Sequence, residues 1–213
     1  MDYKDRQSGL DENYFIARGQ LYLIDMLFRK KIKPSRKLSI LCVGCGDGNE
    51  LKALNKYGSV DVLDIEEKAI KLIPRSSYVN AFIGDICQFK PSKKYDVVCG
   101  FDVLEHIEDD DTALERIHDA LAEDGHFIFT VPAHSQLFSS HDKALSHFRR
   151  YDKNDFIGLL NKRFDVSFLS YRYFFQFLPV SVDRILHKNA TPRIQAPNLP
   201  KTLNDDGFVE TPF

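Results

Sequence analysis

Apolar residues recur at helical spacing early in the chain and later gather into short, strand-length runs. Between about Asp11 and Lys31, Phe15, Leu21, Ile24, Leu27 and Phe28 fall near one face of a helix. Apolar runs follow at 38–43, 59–64, 78–83, 95–100 and 126–131. Between them lie helix-compatible stretches at about 48–57, 66–73 and 111–122, the last with Leu114, Ile117 and Leu121 on one side. Gly58, Pro74 and Gly125 punctuate them. Strands separated by helix-length crossovers predict an α/β fold with a doubly wound, mainly parallel sheet. Such sheets bind ligands at the carboxyl ends of their strands.

Beyond Pro132 the pattern loosens into a polar segment, 133–151, rich in histidine and arginine. Its polar run Ser135–His141 predicts a surface loop, read here as a lid. A helix at 153–162 follows, with Asp152 as its cap and Asp155 three residues on. A sixth strand is expected at about 164–171, and residues 172–187 are aromatic and amphipathic. That amphipathic stretch is either core or a surface helix that meets a bilayer. The domain therefore spans 1–187, with a frayed start, an N-terminal helix over 11–31 and an irregular tail over 188–213.

Composition narrows the functional classes. A net charge of −2 over 213 residues gives no bulk attraction for nucleic acid. No apolar run reaches the roughly eighteen residues of a membrane span, and no secretory stretch opens the chain, so the expectation is cytoplasmic. Locally the picture differs: six of the nine residues from Arg29 to Lys37 are basic. That suits either a solvated helix end favoured by the macrodipole or a contact with anionic lipid, which would make the protein membrane-peripheral. Cys42 and Cys45 form a C-x-x-C, but where a strand becomes a tight turn the two thiols diverge. With Cys87 and Cys99 they are read as free and inert.

The chemistry gathers on Val43-Gly44-Cys45-Gly46-Asp47-Gly48, where the first strand breaks into three alternating glycines. Gly44 permits a sharp turn and Gly46 a close approach of backbone N–H groups to a ligand. The spacing is G-x-G-x-G rather than the G-x-G-x-x-G of dinucleotide sites. Asp64 ends the second strand eighteen residues beyond Gly46, suited to ribose hydroxyls. Asp85 ends the third, suited to an exocyclic amine, and Ile65 and Ile86 would sandwich a flat ring.

As a set, these residues resemble the class I S-adenosylmethionine-dependent methyltransferases of the Leu-Glu-His type, with a Rossmann-like fold. The first motif is Val43–Gly48, the ribose acid Asp64, the adenine motif Gly84-Asp85-Ile86, and the motif after strand four Phe101-Asp102-Val103-Leu104-Glu105-His106. The resemblance implies that Arg18 sits near the methionine carboxylate. It implies that the backbone around Gly44, Gly100 and Phe101 receives the ammonium, and that His106 lines the methionine end. Two departures stand out. Cys42 occupies a position where the family usually has an acid, with Asp47 and Asp102 the candidates to compensate. A last antiparallel strand is not evident after residue 187, except for a remnant at Gly207–Glu210.

The acceptor would be a small molecule or a lipid- or glycan-linked group, methylated on oxygen or nitrogen. His134, His141, His147, Arg149, Arg150 and Tyr151 are its candidate catalytic residues, with His141 or His134 as base and the arginines facing an anion. His-Phe-Arg-Arg-Tyr resembles a segment of envelope and glycan methyltransferases. No metal is assigned. Asp102, Glu105 and His106, at i, i+3 and i+4 on an expected helical turn, face one way and resemble an E-x-x-E-H ion site, with His134 or His141 as a fourth ligand, or they simply shape the cofactor pocket. The alternatives are a noncatalytic S-adenosylmethionine-binding module and an NAD-dependent oxidoreductase.

Overall fold

A computed structural model of the chain describes residues 15–172 together with Val182 and Leu186. The frayed start, the irregular tail, the expected remnant strand and most of the amphipathic stretch lie outside these residues. Val182 and Leu186 themselves are helical and exposed. Among the described residues no helix is long and apolar enough to cross a membrane.

The N-terminal helix α1 covers Phe15–Leu27 and runs into a wide π-turn, Phe28–Ile32. Lys33 closes that turn, its N–H bonded to the Phe28 carbonyl at 2.8 Å and its φ at +49°. Ile24 and Phe28 are fully buried, and Phe28 stacks on Tyr57 with centroids 4.4 Å apart.

The strands are β1 Leu38–Val43, β2 Gly58–Asp64, β3 Ala81–Ile83, β4 Tyr95–Phe101 and β5 Leu121–Thr130. They form one parallel sheet in the order β3-β2-β1-β4-β5. The order reverses beside β1, the place where such sheets carry ligands. Helices α2 (Leu51–Leu54) and α3 (Glu67–Leu72) join α1 on one face. On the other lie α4 (Asp110–Ala120) and α6 (Lys153–Leu160). A short α5, Ser140–Ala144, falls between β5 and α6.

The pleat divides the core. Ile40, Cys42, Val60, Val62 and Val97 face α1 to α3, whereas Leu41, Val43, Leu63 and Val98 face α4 and α6. Each buried aliphatic side chain stabilises the fold by about 1.5–3 kcal/mol relative to exposure. Register is pinned at the lower edge. Arg36 grips both oxygens of Asp96 at 2.8 and 2.6 Å, and Asp96 accepts the Ser39 N–H at 2.8 Å. β1 and β2 meet so closely at Leu38 and Gly58 that a Cβ on Gly58 would lie 1.9 Å from the Leu38 carbonyl oxygen.

The expected parallel, doubly wound architecture is thus the observed one, with differences in extent. The helix expected over 48–57 shrinks to α2, because Gly48 is left-handed at +76° and Asp47 holds the Asn49 N–H at 3.3 Å. The strand expected from 78 begins only at Ala81, after a 3-10 turn over Arg75–Ser77. β5 starts at Leu121, with a register irregularity between Tyr95 and Val97. The sixth strand does not form: residues 164–171 carry no ladder, and Phe164 instead packs on Phe127 with centroids 5.5 Å apart. Asp152 precedes α6 without capping it, since its carboxylate accepts the Ser135 N–H at 3.1 Å and the Ser135 hydroxyl.

Candidate functional site

The glycine turn leaves β1 at Val43 with three left-handed residues, Gly44 at +60°, Gly46 at +51° and Gly48 at +76°. A side chain at Gly44 would be doubly excluded, because its Cβ would also lie 2.4 Å from Val103 Cγ2. The Gly44 N–H continues the β1–β2 ladder to the Leu63 carbonyl at 2.8 Å. Asp64 then folds into the turn. One carboxylate oxygen accepts the Gly46 N–H at 3.0 Å and the other the Glu66 N–H at 2.9 Å. Asp85 follows β3 and accepts the Cys87 N–H at 2.9 Å, opening the 3-10 turn Ile86–Gln88.

That capping separates the two isoleucines. Ile65 is 70% exposed beside Asp64, whereas Ile86 is 4% exposed and packs inward with Leu41 and Val43. The expected sandwich therefore has one free wall. Gly100 and Phe101 end β4 level with Val43, and Arg18 is exposed on α1. All four cysteines are free. Cys42 is the register partner of Cys99, and that neighbour together with burial pushes its thiol up. Burial and Asp64 push the Cys45 thiol up as well. Both stay protonated and nonnucleophilic.

A cavity of about 780 Å³ opens alongside, between α1, β5, the segment 133–151 and the stretch 167–172. Asp102, Glu105, His106, His141, His147, Arg150 and Tyr151 are among the residues that line it. The segment was expected as a surface loop, yet it is anchored by a wholly buried acid. Asp142 accepts the Ser139 N–H at 2.9 Å and the Ser139 hydroxyl at 3.1 Å, a reciprocal cap on α5. Its other oxygen meets Arg150 Nε at 2.8 Å and His147 Nδ1 at 3.2 Å. Arg150 also donates to the Ala133 carbonyl at 3.2 Å. A polar run on paper is therefore folded around an internal ion pair.

The other candidates divide. Arg149 does not face the cavity; it pairs with Asp110 at 2.9 Å and donates to the Glu108 carbonyl. Tyr151 donates to Asp110 at 2.9 Å and to the Leu104 carbonyl at 3.2 Å. Burial and Asp110 push its phenol up. His134, with φ at +65°, stacks on Tyr171 with centroids 5.2 Å apart. Of the two histidines first expected as base, His141 reaches the cavity lining, and His147 joins it there with an oriented ring.

The Asp102–Glu105–His106 triad is rearranged. Leu104–His106 is a 3-10 turn, and Asp102 is left-handed at +56°, its carboxylate accepting the Thr130 hydroxyl at 3.0 Å. The α-helical spacing behind the triad therefore does not apply. Glu105 and His106 meet His147 instead, with one ligand atom of each within 4.8 Å of the others. The rings of His106 and His147 make an edge contact at 4.6 Å. Sequence reasoning missed Ser139 and the anchoring role of Asp142; the S-x-x-D spacing of Ser139 and Asp142 was the available signal.

The turn presents glycine backbone without side chains, with acids at two adjacent strand tips, which fits a nucleoside bearing an amino-acid chain. Residues 14–176 match the model of a methyltransferase domain family. The chain belongs to that family. It is a class I, S-adenosylmethionine-dependent methyltransferase, and the dehydrogenase alternative falls away. No curated protein matches the chain.

Solved structures share the fold. The YcgJ protein from Bacillus subtilis superposes with a TM-score of 0.61 at 16% identity, over 89% of this chain and 92% of that one. The N-methyltransferase NodS from Bradyrhizobium japonicum, in complex with S-adenosyl-L-homocysteine, gives 0.58 at 18% identity, over 76% and 86%. A TehB-like SAM-dependent methyltransferase from Corynebacterium glutamicum gives 0.51 at 23% identity, over 68% and 71%.

Proposed function

We propose that this methyltransferase acts on an oxygen or nitrogen of a small-molecule or lipid- or glycan-linked acceptor held in the 780 Å³ cavity. His147 is its general base. The observation that carries this reading is the pair of buried Asp142 and cavity-lining His147, joined at 3.2 Å. A carboxylate on Nδ1 favours the tautomer with its proton there, so Nε2 keeps a lone pair for the acceptor.

Bound S-adenosylmethionine supplies an electrophilic methyl group. The residues assigned to hold it are the backbone of Gly44, Cys45 and Gly46, with Asp64 toward the ribose and Asp85 toward the adenine amine. Ile65 covers the ring, Ile86 supports Asp85 from the core side, and Gly100, Phe101, Arg18 and His106 serve the amino-acid end. On the acceptor side, His147 Nε2 would take the proton of an O–H or N–H group and leave that atom's electron pair for the methyl carbon, as the sulfur–methyl bond breaks and its electron pair stays on the departing sulfide. A positioned base of this kind contributes about 10²–10⁴ in rate. Arg150, bound to Asp142, keeps the dyad in place instead of reaching for an anion. Four free cysteines support a reducing, cytoplasmic setting.

The test is a cell extract supplied with a labelled methyl donor and fractionated into lipid, glycan, small-molecule and macromolecular products. Label is expected in the lipid, glycan or small-molecule fraction, and His147→Ala should lose it about 10²–10⁴-fold while still binding S-adenosylhomocysteine. Label only in protein or RNA, or turnover indifferent to His147, would overturn the reading.

A further inference from the structure

The π-turn Phe28–Ile32 and its left-handed cap bring Lys30, Lys31 and Lys33 to the surface on one wide turn, all three exposed. Arg29 and Arg36 nearby are neutralised by Asp25 and Asp96, at 2.8 and 2.6 Å. Among the described residues, none of the three lysines is paired with a carboxylate. A helix dipole rewards one or two cations at its end, but it does not call for six in nine residues of a chain with net charge −2.

The neighbours of this turn add a second kind of chemistry. Lys31 Nζ sits 4.7 Å from the centre of the Phe168 ring, which is 44% exposed, and Tyr171 close by in sequence is 53% exposed. Lys31, Ile32, Phe168 and Tyr171 all line the acceptor cavity, so the cationic, aromatic surface is the rim of that cavity. Farther along the chain, helical Val182 and Leu186 are four residues apart and exposed. Charge alone would suit any polyanion. Exposed aromatic and aliphatic side chains beside lysines suit a lipid headgroup layer, where rings settle at the apolar boundary and ammonium groups meet phosphates.

We propose that this rim docks on the anionic surface of a lipid bilayer, so that the cavity faces the membrane and draws a lipid-linked acceptor from it. The proposal rests on the reading of that cavity as the acceptor site. Docking is peripheral and electrostatic in its long-range part, since the described helices do not span a membrane.

Cosedimentation with vesicles tests it without acceptor or methyl donor. The full chain should bind phosphatidylcholine vesicles containing phosphatidylglycerol, bind pure phosphatidylcholine far more weakly, and detach as salt rises. The triple variant Lys30→Gln, Lys31→Gln, Lys33→Gln should lose roughly a hundredfold in affinity, and Phe168→Ser roughly tenfold at unchanged charge. Both variants should retain wild-type heats with S-adenosylhomocysteine, which reports an intact fold. Absence of vesicle binding, equal binding to neutral vesicles, or a triple variant that binds like the wild type would overturn the proposal. Those failures would leave the His147 result standing. Vesicle binding with no label in any lipid, glycan or small-molecule product would instead break the reading of the cavity.

Discussion

The tips of β1 to β3 and the segment between Pro132 and Asp152 carry the two halves of the proposed site, and they are built in opposite ways. The first is main chain: three left-handed glycines and one aspartate folded back on the turn. The second is side chain: a sunken carboxylate with a serine, a histidine and an arginine gathered on it. A site made of backbone depends on what is missing at Gly44, whereas a site made of a buried ion pair depends on every member being present. Damage should therefore appear first as lost ligand at one end and first as lost stability at the other.

The largest effect should come from Asp142→Ala. It strands the Arg150 guanidinium, whose side chain is only 10% exposed, and loss of such a partner typically destabilises by about 3–5 kcal/mol. Chemical denaturation should show this loss, while S-adenosylhomocysteine affinity stays near wild type at temperatures where the variant remains folded. A large loss of affinity with little loss of stability would erase the contrast. Gly44→Ala should do the reverse. The left-handed conformation adds about 1–2 kcal/mol of strain, and Val103 must also give way. Calorimetry should detect no heat with S-adenosylhomocysteine, and the melting temperature should fall by only roughly 4–8 °C.

Tyr151→Phe sharpens the comparison on the side-chain end. It removes one hydroxyl from buried Asp110 and should cost about 1–2 kcal/mol, read as a shift in denaturation midpoint at constant slope. The smallest effect belongs to Asp111, whose carboxyl Arg163 and Lys162 hold down at about 2. Because the folded value lies below the unfolded one of roughly 3.9, its contribution is present above that pH and is lost as pH falls toward 2. Asp111→Asn should flatten this acid limb of a pH–melting profile and leave cofactor affinity untouched.

The same division decides how much could be read from residues alone. Backbone sites advertise themselves, because only glycine adopts the required conformations without strain. Gly44, Gly46 and Asp64 therefore stood out by spacing, and the structure places Asp64 within 3.0 Å of Gly46 N. Side-chain clusters do not advertise themselves. Asp142 sits in a polar run, and nothing in composition distinguishes a carboxylate at zero exposure from one in water. Ile65 and Ile86 each follow an acid and were read alike, but the 3-10 turn after Asp85 rotates Ile86 into the core. The Asp102–Glu105–His106 grouping presumed an α-helix where the chain makes a tighter turn, and His147 arrives from forty residues away. A sixth strand was expected at 164–171, but apolar residues report which side chains seek cover and not whether a ladder forms.

The contact between Gly58 and the Leu38 carbonyl has a bearing on any future collection of variants. With only 1.9 Å available for a Cβ, every replacement there must pry two strands apart at the end of the sheet remote from the glycine turn. A survey scored by survival would rank this position beside Gly44 and tempt a reader to give it a part in catalysis. Its intolerance is that of a hinge pin, and a binding assay run on whatever folded protein survives would tell the two apart.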